Sequence, residues 1–83
     1  MIKKLPNNDY FKTSDLALCA TLCFFGYQIE AINKANKSKV IFYIKIDSKL
    51  DNTIQKFWKH QLEVEPLAFF NLIKEVKNRL YSN

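Results

Sequence analysis

Read as a run of apolar and polar positions, the chain falls into five segments. The first, Leu16–Phe25, is Leu-Ala-Leu-Cys-Ala-Thr-Leu-Cys-Phe-Phe, without a charge and apolar on almost every side. Thr13, Ser14 and Asp15 supply an N-cap signal before it, and Phe11 stands where a hydrophobic staple would. Gly26, the chain's single glycine, supplies a left-handed stop behind it. The pattern predicts a helix that other elements must cover. Tyr27–Asn33 alternates, with Tyr27, Ile29 and Ala31 on one face and Gln28 and Glu30 on the other, and reads as a strand. After the polar turn Lys34–Ser38, the segment Lys39–Ile46 is β-branched and aromatic almost throughout. Val40, Phe42, Ile44 and Ile46 are expected on one face of that second strand, and Ile41, Tyr43 and Lys45 on the other.

Asp47-Ser48 then cap a second helix in which Leu50, Ile54, Phe57, Trp58 and Gln61 keep helical spacing. Trp58 is expected in the core, the alternative being a rim position with its indole exposed to stack on a base or pack on a partner. Leu62–Glu65 leads to a third helix opened by Pro66, with Phe69, Phe70, Leu72, Ile73, Val76 and Leu80 as its apolar stripe. The predicted fold is a compact α+β domain over residues 1–83, order α-β-β-α-α, with an antiparallel β-hairpin packed against three helices. Met1–Asp9 is expected to form a loosely ordered arm. The first and last helices should cover the Phe42 face of the hairpin. The other face, with Ile41, Tyr43 and Ile32, then meets another helix or a partner, and two hairpins joined by an edge would make a homodimer.

The segments Tyr10-Phe11-Lys12-Thr13-Ser14-Asp15-Leu16, Phe25-Gly26-Tyr27, Val40-Ile41-Phe42, Phe57-Trp58, Phe69-Phe70-Asn71 and Arg79-Leu80-Tyr81 carry a likeness in their order and spacing. Over Tyr10 to Tyr81 the chain resembles a small family of uncharacterised domains from bacteria and phages. The resemblance implies a compact intracellular domain, often encoded by phage or mobile genomes. It brings no activity, ligand or catalytic residue.

Composition narrows the classes. An 83-residue chain makes one domain that buries roughly 60% of its unfolded surface. Leu16–Phe25 is too short to cross a bilayer, and Leu5-Pro6-Asn7-Asn8-Asp9 interrupts the place where a signal peptide needs an apolar run. Cys19 and Cys23 lie four apart in the apolar helix, a poor arrangement for a disulfide and one that suits a reducing compartment. A soluble cytoplasmic protein is expected. The two cysteines read as small core hydrophobes, since a zinc site wants four ligands and His60 is the only histidine. Capping accounts for Thr13, Ser14 and Asp15. With no phosphate-binding glycine loop, paired carboxylates or nucleophile beside a base, the expectation is a non-enzymatic module without cofactor, metal or small-molecule substrate.

Charge is the one informative departure. The net charge is +5, and residues 1–33 and 61–83 each balance to zero. The whole excess lies in residues 34–60, where seven lysines meet only Asp47 and Asp51. A clustered excess is the electrostatic footprint of a binder of DNA or RNA backbones. Lys34, Lys37, Lys39, Lys45, Lys56 and Lys59 are the candidate contacts, with Tyr43 for stacking and Asn33, Asn36 and Ser38 for hydrogen bonds. Lysine is a point charge and Arg79 is the only arginine, so base-specific reading is not expected. The alternative takes the lysines as ordinary solvated surface of an AT-rich genome's protein. It makes the chain a protein-interaction module, a phage-encoded factor docking on a host or defence protein or a homodimer, with Ile41 and Tyr43 at the hairpin edge as the contact.

Overall fold

The computed structural model describes residues 9–36 and 38–81, so the expected N-terminal arm lies outside the described residues apart from Asp9. Tyr10–Thr13 form a strand, β1, whose four-residue alternation is too short to announce itself. Leu16–Phe24 follow as helix α1, Ile29–Asn33 as β2, Ile41–Lys45 as β3, Leu50–Trp58 as α2 and Pro66–Tyr81 as α3. The α+β class and the order of the five expected elements hold, with β1 added ahead of them. The sheet runs β1-β3-β2, antiparallel throughout. β3, the most β-branched segment, is therefore central, and its second edge is taken by β1 rather than left for another copy of the chain.

Five consecutive α1 residues, Leu18 to Leu22, are buried, as an uncharged helix requires. Its cover is shared. Ile29, Phe42 and Ile44 come from the sheet, Leu50 from α2 and Val76 from α3, with Ile54, Phe57 and Leu80 packed around them. The one buried polar residue among those described, Thr21, donates its hydroxyl hydrogen bond to the Ala17 carbonyl at 2.7 Å, so no polar atom is stranded there. The N-cap is Asp15, whose carboxylate accepts from the Leu18 N–H at 3.1 Å, while the Thr13 hydroxyl accepts from the Asp15 N–H. Phe11 packs on the core from the strand rather than as a staple.

Both of the first two helices end in the same backbone device. Behind α1, Gly26 takes φ +99°, its N–H donates to Cys23 O, and the Tyr27 N–H donates to Leu22 O. Behind α2, His60 takes φ +58°, its N–H donates to Phe57 O, and the Gln61 N–H donates to Lys56 O. These are paired Schellman closures, and a left-handed residue is obligatory in each. Histidine fills a glycine's place in the second, which is why the sequence carries no stop signal there and helical spacing runs on to Gln61, although the helix itself ends at Trp58. His60→Gly is expected to stabilise the domain by about 0.5–1 kcal/mol by relieving left-handed strain. A thermal melt raised by a few degrees is the check, and an unchanged or lower midpoint contradicts it.

Packing corrects the expected places of Ala31, Ile32, Ile46, Trp58 and Phe70. Ile29 pairs with Ile44 and Ala31 with Tyr43, so a bulge at Glu30 breaks the alternation. Ile32 thereby joins Ile29 on the core side, opposite Phe42, rather than lying beside Tyr43. Ile46 falls past the end of β3 and is exposed. Trp58, at 59% exposure, and Phe70 also face water, because Phe57 fills the place on α2 that meets α1, and Phe69, Leu72, Ile73 and Val76 turn inward on α3. α3 starts at Pro66 as expected, with the Glu65 carboxylate accepting from the Leu67 and Ala68 N–H groups.

Candidate nucleic-acid interface

Directly opposed residues of antiparallel strands point to the same side. Phe11, Thr13, Phe42, Ile44, Ile29 and Ile32 therefore form the inner face of the sheet. All three helices contribute side chains to the core on that face, so all three lie on that side. The outer face carries Tyr10 and Lys12 from β1, Ile41, Tyr43 and Lys45 from β3, and Ala31 and Asn33 from β2. None of these belongs to the core cluster, and none of the described helices covers them.

The outer face has internal order. Tyr10 lies opposite Lys45 and Lys12 opposite Tyr43. The Tyr10 and Tyr43 rings meet edge to face, centroids 6.5 Å apart at 75°. Lys12 Nζ lies 5.7 Å from the Tyr43 ring centroid, a cation–π contact. Where β1 leaves the sheet, Lys12, Thr13, Ser14, Asp15, Lys39 and Ile41 surround an open hollow of about 390 Å³. Two of the predicted lysines, Lys39 and Lys45, thus sit with both predicted contact residues, Ile41 and Tyr43.

The other predicted lysines are not brought to this place. Lys34 reaches the far end of α3, where its Nζ donates to the Arg79 carbonyl at 2.8 Å, a cation on the negative end of a helix. Lys56 and Lys59 are exposed at the end of α2, in the helix layer on the other side of the sheet. Lys37 lies outside the described residues. The loop polar groups are turned inward on themselves: Asn33 Oδ1 accepts from the Ala35 N–H, and Asn36 Oδ1 accepts from the Ser38 N–H and hydroxyl. Sequence reasoning missed Tyr10 and Lys12, the β1 half of the face. Their alternation with Phe11 and Thr13 was the available signal, masked by the capping signal that follows directly.

Elsewhere, Cys19 and Cys23 lie one turn apart on α1, close enough for the two thiols to shift each other. Interaction with Cys23, then burial, pushes the Cys19 thiol far up, while interaction with Cys19 lowers Cys23. Both cysteines are free. Tyr27 donates its hydroxyl to Asp47 Oδ1 at 2.7 Å, and Asp47 also accepts from the Lys49 N–H at 2.9 Å. The Tyr27 bond, then the backbone donor, holds the Asp47 carboxyl below its ordinary value. A lowered carboxyl contributes stability above the unfolded-state value, and that contribution is lost as pH falls through the folded one. Wild-type stability should therefore drop between about pH 5 and pH 2, and Asp47→Asn should flatten that drop. It should not abolish it, because the Ala68 and Leu67 N–H groups lower Glu65 in the same way. Urea unfolding at both ends of that range is the check, and an unchanged pH dependence in Asp47→Asn contradicts it.

A family model described as a domain of unknown function, DUF5659, matches residues 8–82. The chain belongs to this family. The DUF5659 match runs from before β1 to the end of α3, so the whole sheet and its outer face fall within the family domain. No curated protein and no solved structure matches the chain. Among the described residues of this DUF5659 domain, no three His, Cys, Asp or Glu side chains are placed to hold a metal ion, and no helix is long and apolar enough to cross a membrane.

Proposed function

We propose that this DUF5659 domain is a non-enzymatic module that binds the backbone of DNA or RNA without sequence specificity, through the outer face of its sheet. The observation that carries the reading is one sheet face, clear of the described helices, that gathers Lys12 and Lys45 with Tyr10 and Tyr43 and has Lys39 at its rim. Lysines give charge without bidentate base reading, and tyrosines give contact area that every nucleotide can use. The free thiols fit a cytoplasmic setting. The test is fluorescence anisotropy with labelled oligonucleotides of unrelated sequence, titrated at several salt concentrations. Micromolar to submillimolar binding is expected, with log affinity falling by about 2 per decade of salt if three phosphates are neutralised. Absent or salt-independent binding overturns the reading.

A second reading, a protein-interaction module, rests on a different observation. Trp58, Leu67 and Phe70, which flank the α2–α3 connection, are large apolar side chains left in water. A phage-encoded factor docking on a host protein would use such residues. One stoichiometric partner retained after nuclease treatment, and lost with Trp58→Ala, supports it. A nuclease-sensitive pull-down with no retained protein counts against it.

A further inference from the structure

The sheet face has a shape as well as a charge, and the shape selects among nucleic acids. β3 is five residues long, about 17 Å, and three strands are about 10 Å across. Among the described residues, no helix stands proud of this platform to enter a major groove. Its two aromatic rings offer contact to the faces of bases, and in a duplex those faces are hidden in the stack. Only an unpaired strand can lay a base on Tyr43 or Tyr10. The hollow beside Tyr43 has the complementary chemistry. Lys12 and Lys39 line it with the hydroxyl-bearing Thr13 and Ser14, and Ile41 forms its apolar wall. Asp15 also lines it, but its Oδ1 is already engaged by the Leu18 N–H at the start of α1.

Resting on the nucleic-acid reading above, we infer that the preferred ligand is single-stranded DNA or RNA. One phosphate sits in the Lys12/Lys39 hollow and the neighbouring base lies against Tyr43. The platform has room for about two bases, fewer than a full four-stranded RNA-binding sheet holds. Lys12, whose Nζ lies over the Tyr43 ring and which also lines the hollow, stands between the two groups, so its charge can serve the phosphate beside the aromatic layer.

The experiment compares a labelled 12-nucleotide single strand with the corresponding duplex, at one salt concentration, for wild type, Tyr43→Leu and Lys39→Glu. Leucine keeps the apolar bulk on β3, and thermal melts of both variants establish that they fold. The single strand should bind at least tenfold more tightly than the duplex. Tyr43→Leu should lose about tenfold on the single strand, with its salt dependence unchanged, because stacking releases no counterions. Lys39→Glu should lose affinity and flatten the salt dependence. A strand bearing 5-iodouridine should cross-link to the peptide containing Tyr43. Equal binding of duplex and single strand, or a neutral Tyr43→Leu, overturns this inference and leaves backbone binding standing. Binding to neither overturns both.

Discussion

Phe42→Ala is expected to remove about 3–5 kcal/mol of stability, the range for deleting a buried phenyl ring and leaving its cavity. Phe42 is 2% exposed, on the central strand, and opposite both Thr13 of β1 and Ile32 of β2. Its ring belongs to the cluster that joins the sheet to all three helices, so no single element can close over the gap. An 83-residue domain has a total stability of about 4–12 kcal/mol. The variant should therefore be largely unfolded at 37 °C or melt about 15–30 °C lower. Circular dichroism is the suitable probe, because the only tryptophan is already exposed and changes its surroundings little on unfolding. Trp58→Ala is the matched control and should cost less than about 1 kcal/mol, as surface substitutions do. A mild Phe42→Ala would mean that the core is not one continuous unit.

The second large effect concerns binding. Lys39→Glu with Lys45→Glu moves the net charge from +5 to +1 and reverses two positive positions around the outer face. Affinity for a single strand near 50 mM salt should fall by about 100-fold or more, and the salt dependence should nearly vanish. Lys56→Glu with Lys59→Glu makes the same change in net charge on the opposite side of the domain. It should cost only a few-fold, through weakened long-range attraction. Equal losses in the two double variants would show that overall charge, rather than the sheet face, governs binding.

The architecture was legible where one physical signal acted alone. An uncharged helix between Asp15 and Gly26, a β-branched run at Ile41–Lys45 and a helix opened by Pro66 each have a pattern that no competing reading matches. The misreadings arose where two signals overlapped or one was absent. β1 is four residues long and runs straight into the cap of α1, so capping chemistry hid the strand. The bulge at Glu30 is a backbone event with no residue signature, yet it exchanges the faces of everything after it in β2. Trp58 shows that an aromatic at helical spacing need not be core when its neighbour Phe57 already fills the place. For the site, charge counted along the chain located a lysine-rich third of the sequence but could not say which lysines share a surface. Strand pairing decides that, and it joins Lys12 to Tyr43 across 31 positions while putting Lys34 and Lys56 elsewhere.

The same long-range pairing has a kinetic consequence. α1, the β2–β3 hairpin, α2 and α3 are each built largely from neighbours in sequence, whereas β1 reaches β3 only by closing a loop of about 30 residues around α1 and β2. Closure of that length is entropically costly before its contacts form, so β1 is the natural last strand to dock. A weakening of that strand, as in Phe11→Ala, should then quicken unfolding while leaving the refolding rate almost unaltered. During synthesis the aromatic and basic face would be completed only after β3 has emerged, so a partly made chain carries the lysines without the surface that arranges them.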